Sequence, residues 1–498
     1  MRMACRLCHL ARVILVFGVV AVVTALTFNV ALADEPGART VSTADTPALD
    51  PVTVADELRR LSLQAGFSVT TGRMTVVDSQ ACSESGDFCY GSNPASPYLV
   101  PSDSTRRGRG TVNPFTLARD EALVIIGRTP PEVRYYATTT YLYDRPKDRF
   151  RPRRQLIFGS LYDSLNINTL GYVGDDPFNA FTVIVVTPNR AAFDQLLRPS
   201  LEALSVPQSS INVQEIPESL LSNLGSGRRA DRFTLLIRAA YPSNQSALDR
   251  YLENAEQTFQ VLKIDFSGSG LFTAYPTRPY SPSGTGQPEP GELAEALGNL
   301  VDAIEAKYSI PGQRNARIAP MATIGPSGFP QPGGQNCIEE STFCVADNPD
   351  ARYFTPLIEP VAEPLSDSPD NFWIVVGVDH VGTGKATYVN TSLTRARNAI
   401  GLLSISDAEL AGSAAYHSGL PGTAFPNLYA YMFARDCSGV AFCSEVLRPS
   451  DTALGARSDD RLLIATRVYL DPATNTGPDE DELTPGYVLL FEPERGRR

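Results

Sequence analysis

A repeated cysteine loop constrains the fold of this 498-residue chain more than any other feature. Residues 82–101 read CSESGDFCYGSNPASPYLVP, and residues 337–356 read CIEESTFCVADNPDARYFTP. Both segments fit the pattern C-x5-F-C-x3-N-P-x3-Y-x2-P, whose seven fixed positions recur at an offset of 255 residues. Chance explains so many matches at one offset poorly, so the sequence predicts two lobes built on a common plan.

Two further similarities favour this duplication. The string PEVRYY at 131–136 resembles PDARYF at 349–354. In addition, a segment with apolar residues at helical spacing precedes each cysteine loop, at 54–65 and at 291–308. The second similarity suggests that each copy begins with a helix and continues into its cysteine loop.

The segment at 276–290 separates the two copies and is rich in Pro, Gly and Ser. Such a composition predicts a linker that buries little surface. The first lobe is therefore predicted at 51–275 and the second at 291–498. Since strand-like and helix-like segments alternate, the predicted fold class is α+β, with two related lobes of mixed sheets and a few helices, stapled by local disulfide loops.

The individual elements are predicted from periodicity and composition. In the first lobe we expect strands at 122–126, 134–143, 181–187, 211–216, 233–240 and 259–266, and helices at 189–204 and 246–255. In the second lobe we expect strands at 372–379, 387–390 and 428–434, and a hairpin formed by 462–470 with 486–491.

The N-terminus has the pattern of a secretory signal. Arg2, Arg6 and Arg12 precede an uncharged stretch, 13–33, that ends in Ala-Leu-Ala. A basic region, an apolar region and a small-x-small site predict a signal peptide at 1–33, followed by a flexible mature N-terminus at 34–50. An uncleaved membrane anchor is the alternative, because about 18 apolar residues can span a bilayer. After cleavage, no segment is expected to insert into a membrane.

The charge of the chain argues against nucleic acid as a partner. It has 43 Lys and Arg against 55 Asp and Glu, a formal net charge of −12. Removal of residues 1–33 takes away three Arg and no acidic residue, which brings the charge to −15. Nucleic-acid-binding proteins need a basic surface to neutralise phosphates, so no nucleic-acid partner is predicted.

The cysteines point to an oxidising compartment. Six of the eight follow residue 33 and fall into three close pairs. The predicted disulfides are Cys82–Cys89, Cys337–Cys344 and Cys437–Cys443. An even number of closely paired cysteines is typical of secreted or periplasmic proteins, which is the predicted location. Metal ligation is the alternative, although zinc sites favour a C-x2-4-C spacing that these pairs lack.

No standard catalytic signature occurs: G-x-S-x-G, S-x-x-K and H-E-x-x-H are all missing from the sequence. The histidines after residue 33 are His380 and His417. His380 ends a predicted strand next to Asp379, where an imidazole and a carboxylate could act as a general base or a metal ligand. The candidate catalytic residues are Asp379, His380 and His417, and the candidate ligand-binding residues are Lys385, Tyr388, Arg435 and Asp436. The alternative is that both histidines are hydrogen-bonded loop residues.

Two motifs resemble ligand sites but miss essential positions. The string GTGK at 382–385 lacks the first glycine of a phosphate-binding loop and has Ala386 at its metal-binding position. Acidic residues at 471–482 match some positions of a calcium loop, but their flanks are strand-like, so we interpret them as an acidic hairpin loop. No cofactor is predicted, and no metal is assigned.

Three functions are compatible with these features. The preferred hypothesis is an exported protein that binds a small molecule or glycan in a crevice between the lobes or on the second lobe. The alternatives are an extracellular or periplasmic hydrolase that uses His380 with Asp379, and a structural or adhesion module of the cell envelope. The sequence does not specify an oligomeric state.

Overall fold

The computed structural model describes residues 49–85, 90–103, 114–147, 153–323, 334–344, 346–357, 363–421, 424–452 and 454–494. Residues 49–498 belong to one compact unit. The predicted signal peptide lies outside the described residues, as does all but the end of the predicted flexible segment at 34–50. In the described part of the chain, no helix has the length and apolar character needed to cross a membrane.

The first lobe contains ten strands and six short or medium helices among the described residues. The strands are β1 (Ser68–Val76), β2 (Tyr98–Asp103), β3 (Glu121–Arg128), β4 (Val133–Pro146), β5 (Arg154–Ser160), β6 (Leu165–Asn166), β7 (Phe181–Thr187), β8 (Ile211–Glu215), β9 (Arg232–Pro242) and β10 (Gln260–Asp265). The helices are α1 (Pro51–Gln64), α2 (Ser79–Ser85), α3 (Arg190–Ala192), α4 (Arg198–Ala203), α5 (Gln245–Glu253) and α6 (Ala255–Thr258), with a π-helical turn at Phe193–Leu197 between α3 and α4.

The second lobe repeats this series with fewer helices. Its described strands are β11 (Arg314–Thr323), β12 (Ala351–Pro356), β13 (Glu363–Pro364), β14 (Phe372–Val378), β15 (Tyr388–Arg395), β16 (Ile400–Ser406), β17 (Leu428–Ala434), β18 (Cys443–Glu445), β19 (Arg461–Tyr469) and β20 (Tyr487–Pro493). Its described helices are α7 (Glu292–Tyr308), α8 (Gly334–Glu339) and α9 (Ser413–Ser418).

The two sheets have the same topology. The strand order is β5-β4-β9-β2-β1-β10-β3-β7-β8 in the first lobe and β16-β15-β19-β12-β11-β20-β14-β17-β18 in the second. In both lobes the described strands pair antiparallel except at one edge, where β7–β8 and β17–β18 are parallel. Both sheets are curled, one into a half-barrel and the other into a nearly closed barrel. The predicted fold class, two related lobes with mixed sheets and few helices, is confirmed.

The repeated pattern occupies equivalent positions in both sheets. Its tyrosine pairs with a buried arginine across neighbouring strands, Tyr98 with Arg238 and Tyr353 with Arg467. Each guanidinium also lies over the ring of that tyrosine, at 5.3 and 5.7 Å respectively. The face of the tyrosine ring stabilises the positive charge of the buried arginine. Both copies of the pattern therefore have the same tyrosine–arginine contact, although the two residues lie far apart in sequence.

Two expectations about the second lobe are wrong. The similar strings at 131–136 and 349–354 lead into β4 and β12, but the counterpart of β4 is β15, so that similarity is not part of the duplication. The predicted hairpin of 462–470 with 486–491 does not form, because β12 and β11 lie between β19 and β20 in the sheet. The acidic loop that connects β19 to β20 therefore spans two intervening strands and is not a hairpin loop.

The cysteine loops are exchanged between the lobes. The first loop contacts the edge of the second sheet, where Gly401 N–H donates to Ser92 O at 3.2 Å. The second loop contacts the edge of the first sheet, where Ser160 N–H donates to Asp347 Oδ1 at 2.7 Å. Ser92 and Asp347 are 255 residues apart, the offset of the repeat, so the two contacts are equivalent. Helices α2 and α8 lie at the start of these loops and pack on β16 and β5 of the opposite lobe.

The asparagine of the pattern forms a hydrogen bond to the opposite lobe in both copies. Asn93 Oδ1 accepts a hydrogen bond from Asn390 Nδ2 at 2.8 Å, and Asn348 Nδ2 donates to the Tyr135 hydroxyl at 3.2 Å. Asp350 follows in the second loop, is fully buried, and accepts from that same hydroxyl at 2.9 Å. Buried side chains of the two lobes are therefore joined by hydrogen bonds across their contact.

Two of the predicted disulfides are present, Cys337–Cys344 and Cys437–Cys443, each with its Cα atoms 5.7 Å apart. Cys82 is also disulfide-bonded, and its predicted partner Cys89 lies outside the described residues. Disulfides persist in oxidising surroundings, so these bonds indicate an extracytoplasmic space.

Candidate functional site

His380 forms a buried pair with a residue of the linker. Its Nδ1 lies 2.8 Å from Glu289 Oε1, and only 3% of the histidine is exposed. The Thr383 hydroxyl donates to the same carboxylate oxygen at 2.6 Å. Burial raises the pKa of Glu289, but the hydrogen bond and charge of His380 outweigh this effect and hold the pKa below its ordinary value. The carboxylate thus orients the imidazole.

Lys385 makes a second contact with the linker. Its Nζ donates to Glu482 Oε2 at 2.9 Å and to Thr285 Oγ1 at 3.1 Å. The linker was expected to bury little surface, and most of its residues are exposed; Glu289, which is 7% exposed, is the exception. This mostly exposed segment nevertheless supplies Glu289 and Thr285 as hydrogen-bond partners of the 379–385 loop.

The two aspartates among the candidates stabilise local turns. Asp379 Oδ1 accepts from the N–H groups of Val381 and Gly382, at 3.1 and 3.0 Å. Asp436 Oδ1 accepts from Ser438 N–H at 2.8 Å, and this hydrogen bond lowers the pKa of Asp436. Aspartates commonly stabilise turns in this way.

His417 is buried in a separate part of the second lobe. Its Nδ1 lies 2.9 Å from the Tyr308 hydroxyl, and its Nε2 lies 3.2 Å from Phe442 O. Burial lowers the pKa of His417 to about 4, although the Phe442 hydrogen bond opposes the shift. The imidazole is therefore neutral near pH 7, and both of its nitrogens are in hydrogen bonds. Among the described residues, His380 and His417 share no hydrogen-bond partner.

The remaining candidates, Tyr388 and Arg435, have different surroundings. Tyr388 is buried between the lobes and stacks on Tyr469, with ring centroids 5.5 Å apart. The Arg435 guanidinium donates to main-chain carbonyl groups of Leu365, Val446, Leu447, Ala456 and Arg457. The structure thus brings Asp379, His380 and Lys385 into one loop and places the other four candidates elsewhere.

No group of three or more His, Cys, Asp or Glu side chains suited to a metal ion occurs in the described parts of the chain. The assignment of catalytic roles to Asp379, His380 and His417 remains a prediction.

Two buried groups have opposite expected effects on acid stability. Burial raises the pKa of Asp350 to about 6 and lowers that of His417 to about 4. Between about pH 6 and pH 4, Asp350 binds a proton in the native state more readily than in the unfolded state, so acidification through this group stabilises the protein. Over the same range His417 binds a proton only in the unfolded state, so acidification through this group destabilises the protein. Each effect is worth about 3 kcal/mol, so they nearly cancel in the native protein.

Asp350→Asn is therefore expected to raise stability at pH 7.5 and to make stability fall more steeply on acidification, since His417 is then unopposed. Urea unfolding between pH 7.5 and 4.5 measures this slope. Asp249→Asn, an exposed change on α5, serves as the control. Parallel pH curves for Asp350→Asn and the native protein would contradict the expectation.

A different site lies at the edge of the first sheet, in a cleft of about 450 Å³. This volume is in the usual range for small-molecule sites. The cleft lies beside the carboxyl ends of the parallel strands β7 and β8, a position where sheets with parallel strands often bind ligands. We call it the arginine cleft; it is lined by Arg190, Phe193, Asp194, Arg198, Val213, Glu215, Tyr275, Pro276 and Arg278.

Three arginines and two carboxylates alternate around the arginine cleft. Arg190 Nε lies 3.4 Å from Asp194 Oδ2, and Arg198 forms an ion pair with the same carboxylate. Arg278 forms an ion pair with Glu215. Asp194 belongs to the π-helical turn, a distortion that is frequent at functional sites. The lining thus has one net positive charge and offers both hydrogen-bond donors and acceptors.

Two polar atoms of the arginine cleft lack hydrogen bonds. The Tyr275 hydroxyl has no hydrogen-bond partner among the described residues, and Tyr275 is only 5% exposed. Glu215 Oε2 contacts Arg278 but accepts no hydrogen bond of normal geometry there. Both atoms are shielded from solvent, so they belong to the wall behind the cleft and not to its accessible surface.

Sequence reasoning missed the arginine cleft. The strand at 181–187 and the helix that follows it were predicted, but Tyr275 and Arg278 come about 80 residues after Arg198 along the chain. They reach the cleft because residues 274 and 275 form bridges to Asn189 and Pro217. No pattern within a short stretch of sequence indicates that these distant residues meet at one cleft.

A smaller cavity of about 230 Å³ lies beside Asp379 in the second lobe. Its other lining residues, among them Ala411, Ala414 and Phe425, are mainly apolar. It therefore offers few groups that could orient a ligand. The amino-acid sequence matches no protein-family model and no curated protein.

Proposed function

We propose that the chain is a secreted or periplasmic binding protein, and that a small acidic molecule binds in its arginine cleft. The three guanidinium groups that line this one cleft, those of Arg190, Arg198 and Arg278, are the observation that carries the proposal. This is the ligand-binding function expected from the sequence, proposed here for the first lobe instead of a crevice between the lobes or on the second lobe.

Charge and shape support an acidic ligand. Three guanidinium groups from two separate segments face one cleft, and guanidinium binds carboxylate and phosphate through paired hydrogen bonds. Phe193, Val213 and Pro276 supply apolar surface for the body of the ligand. This combination of a partly apolar wall with a few polar groups is typical of small-molecule sites.

Arg198→Met is expected to weaken binding of small acids by about tenfold or more, because one charged hydrogen bond is lost and Asp194 loses a counterion. Isothermal titration with succinate, inorganic phosphate and glucuronate measures the change. Arg250→Met removes an exposed arginine of α5 and should leave affinity unchanged. If none of the three acids binds the native protein, or if the two variants behave alike, the proposal is wrong.

The buried Glu289–His380 pair favours a second candidate, a hydrolase. A carboxylate that orients an imidazole through Nδ1 is the arrangement used by catalytic histidines. In this candidate Glu289, instead of Asp379, is the carboxylate that orients the imidazole of His380. Turnover that disappears in His380→Ala at an unchanged melting temperature would favour this candidate over the binding protein.

A further inference from the structure

We infer that Arg190 binds the acidic group of the ligand and that this ligand carries a single negative charge, an inference that rests on the proposed function. The three arginines of the arginine cleft differ in how far neighbouring carboxylates already neutralise them. The same carboxylates limit how much negative charge a ligand can bring into the cleft.

Arg190 is the arginine with the most capacity for a ligand. Its side chain is 57% exposed, and its guanidinium makes one long hydrogen bond to the described residues, from Nε to Asp194 Oδ2 at 3.4 Å. The two terminal nitrogens have no hydrogen-bond partner in the described part of the chain. They can therefore bind a carboxylate through a pair of parallel hydrogen bonds.

The other two arginines of the cleft are already paired. Arg198 forms an ion pair with Asp194, and Arg278 forms an ion pair with Glu215. Asp194 is thus shared by two arginines, whereas Glu215 neutralises one. The uncompensated positive charge lies at the end of the cleft that holds Arg190, so the acidic group of a ligand is attracted to that end.

The two carboxylates disfavour a second negative charge on the ligand. The side chain of Asp194 is 34% exposed, so a ligand in the cleft meets this charge directly. Tyr275, in the wall of the cleft, lies near enough to both carboxylates for Glu215 and Asp194 to raise its pKa in addition to the effect of burial. One negative charge on the ligand cancels the net charge of the lining, and a second would be repelled by both carboxylates.

Succinate and its methyl esters form a matched series of probes, because they share one carbon chain and carry two, one or no negative charges at pH 7.5. By isothermal titration to the native full-length protein, monomethyl succinate is expected to bind about fivefold tighter than succinate and at least about tenfold tighter than dimethyl succinate. Equal binding of the diester overturns the inference. Succinate that binds as tightly as the monoester overturns it but leaves the proposed function standing. The same holds if phosphate or glucuronate binds and the monoester does not, whereas no binding of any acid removes both.

Arg190→Met tests the residue that is assigned to the acidic group. It is expected to weaken binding of monomethyl succinate by about tenfold or more, because the pair of charged hydrogen bonds is lost. An unchanged affinity would overturn the assignment.

Asp194→Asn tests the limit on ligand charge. It adds one positive charge to the lining and is expected to shift the preference about tenfold toward succinate, whereas a purely structural role of Asp194 would leave the ratio of the two affinities unchanged. Glu215→Gln makes the same change of charge and serves as the test should Asp194→Asn fail to fold. Asp249→Asn, an exposed change on α5, is the matched control and should not alter the ratio. An unchanged ratio in both cleft variants overturns the inference.

Discussion

Gly401→Val is expected to lower the free energy of unfolding by about 4 kcal/mol, because it expels the exchanged first cysteine loop from the second lobe. A Cβ at Gly401 would lie 2.2 Å from Pro94 Cδ and 2.8 Å from Ser92 O. Neither the proline ring nor the main chain can yield without moving the loop. The displaced loop would also lose the hydrogen bonds that Ser92 and Asn93 form with the second lobe.

Urea unfolding measures this loss, and hydrogen exchange shows where it occurs. Amides of β15 and β16 should exchange faster, while those of β7 should not change. Gly227→Val is the matched control, because a Cβ at Gly227 meets no atom within 4 Å. Combining Gly401→Val with Pro94→Gly should restore part of the stability; strictly additive losses would contradict the proposed clash.

Arg435→Met is expected to be at least as damaging, with a loss of about 5 kcal/mol. The guanidinium is the shared donor for five carbonyl groups, which belong to the segments around residues 365, 446 and 456. Methionine has similar length and no donor, so the carbonyls of Leu365, Val446 and Ala456 would lose this partner, whereas those of Leu447 and Arg457 would keep a main-chain donor. Leaving buried polar groups unsatisfied is among the most destabilising effects of a single substitution.

Arg448→Met provides the comparison for Arg435→Met. Its side chain is 52% exposed and contacts Asp367 at the surface, so its removal should cost less than about 1 kcal/mol. Both losses are measured by urea unfolding at pH 7.5. A small effect at Arg435 together with loss of ligand binding would instead favour the ligand-binding role predicted from the sequence.

The strongly apolar strands could be predicted from the sequence, but the central polar ones could not. β7 (FTVIVVT) and β14 (FWIVVGV) are buried along their whole length, so composition alone identifies them. β1 (SVTTGRMTV) and β11 (RNARIAPMAT) lie inside their sheets but carry polar residues and, in β11, a proline. Their strand conformation comes from pairing with neighbours on both sides, which local propensity does not encode.

The duplication was evident in the sequence, whereas the exchange of the cysteine loops was not. A repeated pattern shows that two loops have equivalent surroundings. The pattern does not distinguish a cysteine loop that packs on its own lobe from one that packs on the opposite lobe. Likewise, the linker composition did not reveal that Glu289 is buried against His380, since a single carboxylate in a Pro-rich segment has no periodicity.

The exchanged loops also bear on the order of events during folding. Ser92 and Gly401, which meet in the native protein, are 309 residues apart in the chain. While the polypeptide is synthesised, the first cysteine loop therefore has no docking surface until most of the second lobe has emerged. Contacts of such long range close late and slowly, because chain entropy must be lost before they form. Neither lobe can therefore complete its native contacts before the other lobe is available.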